Sequence, residues 1–202
     1  MSKKLIAVFC TVIALSIICA AIAFFLLPGG DGAGLTIVKA PEQSGVSRPE
    51  GFPDPEANWV KLPDGTNLAE GKKVSAGEVT EVYAAANVVD GDTNTYWESK
   101  GVPAEIVIDL AGTYTVQTAA VRLNPAALWE ARAQSIAVFV STDGESYAPV
   151  VPDTKYDFSP DTGNMLRIDF DPVQASHVKL LFSSNSSSRS AGAQAAEILI
   201  FE

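Results

Sequence analysis

Residues 84–99 read AAANVVDGDTNTYWES, and this stretch decides the fold when it is read together with the last eight residues, AAEILIFE. The first stretch places Asp90, Asp92 and Thr95 around a single glycine, Gly91. Hard cations such as Ca²⁺ take about six to eight oxygen ligands, and a tight turn supplies several of them at once. The carboxylate of Glu197, near the end of the chain, would join this set. The pattern therefore predicts a binding module in which a cation ties together the two ends of one domain.

The same loop has a simpler interpretation as an ordinary Asp-Gly turn. Asp and Asn side chains in such turns bond their own backbone, with no metal involved. The loop is not an EF-hand, because counting along an EF-hand loop from Asp90 or Asp92 ends at Gly101 or Pro103 rather than at a glutamate. Both the metal loop and the simple turn remain open on these residues alone.

Apolar and polar residues alternate from Asn67 onward. Ile106, Ile108 and Leu110 share one face of a strand, and Val107 and Asp109 the other. Such a period of two predicts half-buried strands. The same alternation recurs at 121–123, 136–140, 166–170, 178–182 and 198–200, with turn clusters at 143–144 and 161–164.

No segment of this part has a convincing helical period, apart from a turn near Ala84–Asn87. Asp153, Asp157 and Asp161 are interpreted as loop residues. Roughly eight short strands in a segment of this length predict an all-β fold, an antiparallel β-sandwich of the jelly-roll type.

The N-terminus carries an uncharged apolar run from Leu5 to Leu27, preceded by Lys3 and Lys4. About 20 apolar residues span a bilayer as a helix, and the two lysines favour a cytoplasmic N-terminus. Residues 1–27 are therefore predicted to be a cytoplasmic stub and a signal-anchor transmembrane helix. The expected location is the cell membrane, with a single pass and the folded domain outside.

Two other interpretations of this run stay open. A cleaved signal peptide would use Ala21–Ala23 as its cleavage site, although its apolar core is usually shorter. A lipoprotein would use Cys19, but the bulky Ile18 precedes it.

Residues 28–66 are predicted to be a linker, because six prolines and seven glycines leave little apolar periodicity. Within it, Leu35–Val38 is a weak strand candidate, and Trp59-Val60 is a candidate for packing on the edge of the domain. The folded domain is then 67–202. Its stability cannot come from disulfides, because Cys10 and Cys19 both lie in the apolar run. An exported domain without cysteines is more typical of a bacterial surface than of an animal secretory route.

Charge excludes two classes of partner. The chain carries −10, and removing the two positive charges of Lys3 and Lys4 leaves −12 outside the membrane. Nucleic acids and anionic lipid headgroups are both repelled by such a domain.

The motifs NLAEGKKVSA, VYAAANVVDGDTNTYWES, IVIDL, VFVSTDGESY, TGN and AAEILIF, in this order, resemble the discoidin or coagulation factor 5/8 type C family. The bacterial family 32 carbohydrate-binding modules, which have a galactose-binding-like fold, are the most similar branch. The segment LNPAALWEARAQSIAVFVSTDG also resembles modules attached to actinobacterial polysaccharide hydrolases, including those that act on α-glucans.

This resemblance implies a structural calcium ion between the DGD loop and the C-terminal strand. The ligands that it implies are Asp90, Asp92, Thr95, Glu197 and the backbone carbonyls of Asn87 and Ala196.

The resemblance also implies a ligand face formed by three loops, 78–83, 125–133 and 183–194. Sugar recognition needs an aromatic platform and planar polar groups that fork onto hydroxyls. The expected ligand-binding residues are Tyr83, Trp129, Arg132, Asn185 and Arg189.

Each of these residues also has a structural interpretation. Tyr83 and Trp129 would cap the core, and Arg132 would pair with Glu130 or another acid. Trp97 is expected to pack under the metal loop rather than to face a ligand. Relatives often carry an aromatic residue where this chain has the serine-rich run around Arg189.

The sequence does not predict an enzyme, and no catalytic residue is assigned. His177 is the only histidine, there is no G-x-S-x-G turn, and no cysteine lies outside the apolar run. The expected function is a membrane-anchored extracellular carbohydrate-binding module that takes a glycan, either an α-glucan or a galactose-type sugar. The alternative is an ectodomain that docks an envelope protein without binding sugar.

Overall fold

Eight β-strands and three short 3-10 helices make up residues 56–202, the part of the chain that the computed structural model describes. The strands are β1 (Lys73–Ala76), β2 (Trp97–Glu98), β3 (Ala104–Arg122), β4 (Arg132–Ser141), β5 (Ala148–Phe158), β6 (Met165–Asn185), β7 (Gln194–Ala195) and β8 (Glu197–Phe201). The 3-10 helices are η1 (Ala85–Val89), η2 (Ala127–Trp129) and η3 (Pro160–Thr162).

The membrane helix predicted for residues 1–27 and the strand candidate Leu35–Val38 lie outside the described residues. Across positions 56–202, none of the helices has the length and hydropathy needed to cross a bilayer.

The strands pair antiparallel in the order β1-β3-β6-β4-β5, with β8 also on β3, while β2 and β7 form a separate ribbon. β3 pairs with β6 along its length, but its first half borders β1 and its last half borders β8. Register shifts between Asp109 and Tyr114 and between Val116 and Thr118 interrupt it. Bulges of this kind bend a strand, so the two halves of β3 contribute to both layers of an all-β antiparallel sandwich.

The core between the layers is apolar and well buried. One contiguous cluster contains several side chains with 0% exposure, among them Trp97, Ile108, Phe182 and Ile200. The alternation seen in the sequence therefore marks the inward faces of β3, β6 and β8 correctly. The short helical turn expected near Ala84–Asn87 is confirmed as η1, whose Val88 is fully buried.

The loop interpretation of Asp153 and Asp157 is wrong, because both lie in β5. β5 contains Pro149 and Pro152, which disfavour a strand assignment from sequence. Among the described strands, β5 pairs only with β4 and lies at the edge of the sheet. A proline, which has no N–H to donate, is tolerated in an edge strand because one side of that strand makes no ladder.

The end of the linker contacts the sandwich, as expected for Trp59-Val60. The N–H of Val60 donates to the carbonyl of Thr162 at 3.4 Å. The Trp59 ring packs so closely on Gly163 that a Cβ atom there would lie 2.7 Å from it. Gly163 also has a φ of +74°, which glycine adopts without strain.

The turn between β4 and β5 is held by Asp143. Its Oδ1 accepts from the backbone N–H groups of Glu145 and Ser146, both at 2.8 Å, and from the hydroxyl of Ser141. These donors favour the ionised carboxylate and lower the pKa of Asp143 from 3.8 to about 2.

Asp143→Ala is expected to lower the melting temperature at neutral pH. A carboxyl group with a depressed folded-state pKa stabilises the fold above its unfolded pKa, and this contribution is lost as the pH falls through the folded value. The difference between wild type and variant should therefore shrink between about pH 4 and pH 2. Thermal unfolding across this range checks it, with the exposed Asp64→Ala as control. A difference that is independent of pH would contradict it.

Candidate functional site

A cleft of about 490 Å³ opens where the loop before η1, the turn at η2 and the segment leading into β7 meet. Its walls are aromatic and charged. The lining residues are Thr80, Glu81, Tyr83, Tyr96, Glu98, Leu128, Trp129, Arg132, Arg189 and Gln194.

Three aromatic rings lie in contact along one side of the cleft. Tyr83 stacks on Tyr96 with ring centroids 4.2 Å apart and an angle of 22° between the planes. Tyr96 meets Trp129 edge to face, at 4.7 Å and 88°. Both are favoured arrangements for aromatic pairs. The rings from three separate segments therefore form one continuous surface.

Tyr96 stands at the centre of this surface, and sequence reasoning did not assign it to the ligand site. The signal was present around Trp97, because successive residues of an extended chain point to opposite faces. Since Trp97 is fully buried, Tyr96 and Glu98 on either side of it must face outward. Burial and the neighbouring Tyr83 hydroxyl raise the pKa of Tyr96, so its hydroxyl stays a neutral donor and acceptor.

Arg132, at the start of β4, holds Trp129 in two ways. One terminal nitrogen donates to the carbonyl of Trp129, and the guanidinium carbon lies 5.3 Å from the centroid of the Trp129 ring. The other terminal nitrogen donates to Oε1 of Gln194. Partial burial lowers the pKa of Arg132, although an arginine stays charged. The alternative interpretation, in which Arg132 pairs with Glu130 or another acid, does not hold within residues 56–202, where its terminal nitrogens donate to Trp129 and Gln194.

Glu130 instead pairs with Arg189, whose Nη2 lies 2.8 Å from Oε1 of Glu130. Nη1 of Arg189 also donates to the carbonyl of Leu128 at 3.5 Å. The serine-rich third loop is thereby tied to η2 by Arg189. Arg189 lines the cleft, with its side chain 60% exposed.

Asn185 does not line the cleft. Its Nδ2 donates to the carbonyl of Gly192 at 2.6 Å, and its Oδ1 accepts from the N–H of Ser187 at 3.0 Å. Both ends of the amide therefore brace the third loop. The structure brings Tyr83, Trp129, Arg132 and Arg189 together and leaves Asn185 beside them as a support.

The DGD loop is closed by its own side chains. Asp90 accepts from the Asp92 N–H at 2.9 Å and from the Thr95 hydroxyl at 2.6 Å. Asp92 accepts from the N–H and the amide of Asn94. Nδ2 of Asn87 donates to the carbonyl of Tyr96 at 2.8 Å. These are the bonds expected of a self-contained Asp-Gly turn.

Glu197, at the start of β8, is buried beside this loop with 4% exposure, and its Oε1 has no hydrogen-bond partner in the described part of the chain. It pairs across the sheet with Arg122, whose carbonyl accepts from the N–H of Ala196 at 2.7 Å. Burial and the adjacent Asp90 carboxylate raise the pKa of Glu197 to about 7. A buried, unpartnered carboxylate oxygen beside a second carboxylate is an arrangement that a cation would stabilise.

Few acidic side chains are nevertheless available as metal ligands at this loop. Within residues 56–202, no cluster of three or more His, Cys, Asp or Glu side chains is placed to hold a metal ion. A cation at this loop would depend on Asp90 and Glu197 together with hydroxyl and carbonyl oxygens.

His177, the only histidine in the sequence, lies within β6 and away from the cleft. Its Nε2 is 3.7 Å from Oδ1 of Asp109, and its Nδ1 is 2.9 Å from the hydroxyl of Ser176. Its ring also packs on Gly144 in the β4–β5 turn.

A sequence model described as the F5/8 type C domain matches residues 72–198, more than half of the chain. The chain belongs to this family. The match begins just before β1 and ends in β8, so it covers the DGD loop, the cleft loops and Glu197. No curated protein sequence matches the chain.

Solved structures of carbohydrate-binding modules share this F5/8 type C fold. One is a module of a Clostridium perfringens protein in complex with GalNAc-β-1,3-galactose, at 23% identity and a TM-score of 0.57, covering 68% of this chain and 100% of that one. Another is the CBM32 of AlyQ in complex with 4,5-unsaturated mannuronic acid, at 22% identity and a TM-score of 0.54, covering 64% of this chain and 94% of that one. A third is a pectin-binding module, at 22% identity and a TM-score of 0.55, covering 64% of this chain and 89% of that one.

Proposed function

We propose that this chain is a non-catalytic carbohydrate-binding module that takes a glycan in the cleft of Tyr83, Tyr96 and Trp129. The continuous aromatic surface carries this proposal, because sugar rings stack their C–H faces on aromatic side chains. Glu98 and Arg132 flank the rings and offer the acceptors and donors that orient hydroxyl groups. The sugars bound by the similar modules support a carbohydrate as the ligand class.

The experiment is titration of the full chain, in a zwitterionic detergent that contains no sugar, against a panel of defined glycans. The panel holds galactose, N-acetylgalactosamine, and oligosaccharides of mannuronic acid, galacturonic acid and α-glucose. Wild type is expected to bind at least one of them, with Kd values on the order of 0.1–1 mM for a single site of few contacts. Failure to bind any would overturn the proposal.

The site within the domain is tested by Trp129→Ala, which should remove binding. Trp59→Ala is the matched control, because Trp59 is also a half-buried tryptophan but packs on Gly163. Its loss should leave the Kd unchanged. If Trp129→Ala binds as wild type does, the cleft is not the sugar site.

We further propose that calcium binds between the DGD loop and β8, with oxygens from Asp90, Asp92, Thr95, Glu197 and the backbone of Asn87 and Ala196. The unpartnered Oε1 of Glu197 supports this assignment. The ion would neutralise the two adjacent carboxylates and link the start of the domain to its last strand. Its role would be structural.

Adding calcium to the chelator-treated protein is expected to raise the melting temperature by about 5–10 °C. Ligand at about 100 times its Kd contributes about 2.7 kcal/mol to the native state, and a domain of this size gains roughly 2–4 °C per kcal/mol. Differential scanning calorimetry with and without chelator measures the shift.

Glu197→Gln should abolish this shift, and in chelator it should melt no lower than wild type, because the repulsion from Asp90 is gone. Asp161→Asn, an exposed carboxylate in η3, is the control and should respond to calcium as wild type does. An unchanged wild-type melting curve would refute the calcium site.

The N-terminal run is proposed to anchor this domain in the cell membrane, with the cleft outside. Its uncharged length and the two lysines before it support this orientation. Many copies displayed on one surface would raise the avidity of a weak sugar site. Retention of the full-length mass in membranes washed with carbonate tests the anchor, whereas a shortened soluble product would indicate cleavage.

A second candidate function is docking of an envelope protein. It is favoured by Val82, beside the cleft, and by Leu128, in the lining of the cleft, which are 81% and 76% exposed. Glycan binding that survives Val82→Ser, a change outside the lining of the cleft, would separate the sugar site from any such surface.

A further inference from the structure

Gln134 is a fully buried polar residue near the start of β4, and it does not line the cleft. Its side-chain amide makes two bonds to the backbone of one residue. Nε2 donates to the carbonyl of Gln194 at 2.9 Å, and Oε1 accepts from the N–H of Gln194 at 3.0 Å. This pair of bonds fixes the orientation of the Gln134 amide and holds the backbone of Gln194 in place. Without it, the buried N–H and carbonyl of Gln194 would lose these partners.

The side chain of Gln194, in turn, separates two opposite charges in the cleft. Its Oε1 accepts from Arg132, and its Nε2 donates to Oε2 of Glu98 at 2.7 Å. Arginine can only donate and an ionised carboxylate can only accept, so only one orientation of this amide satisfies both partners. The Gln194 side chain therefore bridges the Arg132 cation and the Glu98 carboxylate, which do not form a direct ion pair in the described structure.

Arg132 extends the chain of contacts to the aromatic wall, through its bond to the Trp129 carbonyl and its position over the Trp129 ring. A continuous path of hydrogen bonds therefore runs from Gln134 in the core, through Gln194 and Arg132, to Trp129. Networks of this kind in low-dielectric surroundings rigidify the groups that they join.

The geometry points to Gln134 as a positioning residue: acting through Gln194 and Arg132, it sets the orientation of Trp129 and so the glycan affinity of the cleft. The effect on glycan affinity rests on the proposed sugar function, whereas the effect on the orientation of Trp129 does not. Gln134 itself touches no ligand. Binding sites depend on supporting contacts that hold the contacting side chains in place.

The variant Gln134→Met keeps the length of the side chain and removes both bonds to Gln194. Its Kd for the tightest-binding glycan of the panel should rise about tenfold or more, which is within the coupling range of contacting residues. The indole N–H signal of Trp129 in a ¹H–¹⁵N spectrum, identified by its absence in Trp129→Phe, should shift in the sugar-free protein. Both are measured in the full chain, well below the melting temperature.

The control is Ile136→Ala, which creates a cavity at a fully buried position two residues further along β4. It should lower the melting temperature yet leave the Kd and the Trp129 signal unchanged. Gln134→Leu, which also removes both bonds to Gln194, serves if the methionine variant does not fold, and its effect should be in the same direction.

Arg132→Met combined with Gln134→Met completes a double-mutant cycle. The two effects on Kd should be clearly less than additive, because Gln134 acts through Arg132. Additive effects, or a Gln134 variant with wild-type Kd and an unmoved Trp129 signal, would overturn the inference. If wild type binds no glycan but the Trp129 signal still shifts, the sugar function fails while the positioning role stands.

Discussion

Gly192→Ala is expected to lower the free energy of unfolding by about 3 kcal/mol or more. Gly192 is buried where the third loop presses on the residue after β2. A Cβ atom there would overlap the carbonyl oxygen of Ser99 and would lie 2.7 Å from its carbonyl carbon. The obstacle is backbone, which no rotamer change can move aside.

The strands around this contact cannot shift cheaply either. The N–H of Ser99 donates to the carbonyl of Ala193 at 3.0 Å, and the Ser99 hydroxyl accepts from the N–H of Ala193 at 2.8 Å. Making room for a methyl group would break these bonds and displace Gln194. Overpacking of a tight site costs about 1–3 kcal/mol, and the loss here should reach or exceed that range. A domain with about 5–15 kcal/mol of total stability tolerates this poorly.

Urea unfolding of the full chain measures the loss, with Gly77→Ala as the matched control. Gly77 also lacks a positive φ, and a Cβ atom there meets nothing within 4 Å. This control should be neutral or stabilised by about 0.4–1 kcal/mol, because alanine restricts the unfolded chain. A Gly192 variant as stable as the Gly77 variant would show that the third loop is free to move.

The sequence predicts the individual strands better than the way they are joined. The segments 106–110 and 121–122 are parts of one strand, β3, although Ala111-Gly112 between them has the composition of a turn. Ala111 has a φ of 57°, and the ladder to β6 resumes at Tyr114 after a register shift. A bulge and a turn use the same residue types, so the composition of this segment cannot distinguish them.

The cleft was predictable in its outer residues but not in its supports. Trp129 and Arg132 stand out because they lie in the segment 125–133, which the sequence predicts as a loop, where an aromatic or a charged residue has no core to fill. Gln194 ends the predicted third loop, but Gln134 does not stand out, because it sits in a strand and its importance depends on Gln194, 60 residues away. Only the three-dimensional pairing shows why a buried amide is required at each position.

The two tryptophans Trp97 and Trp129 should have opposite phenotypes. Trp97 has 0% exposure and packs against Phe182, with ring centroids 5.5 Å apart. Removing a fully buried tryptophan costs about 3–5 kcal/mol, so Trp97→Ala should lose much of the stability of the domain. Trp129→Ala, at a half-buried position in η2, should lose about 1 kcal/mol and yet abolish glycan binding.

Trp97→Phe separates packing from hydrogen bonding at the buried site. Among residues 56–202, the Trp97 indole N–H has no hydrogen-bond partner, so phenylalanine removes an unsatisfied donor while it leaves a smaller cavity than alanine does. We expect Trp97→Phe to cost less than half as much as Trp97→Ala in chemical denaturation, with the Kd for glycan unchanged. Equal losses for the two variants would mean that the indole N–H is bonded and that polar satisfaction, rather than volume, makes tryptophan the best residue for β2.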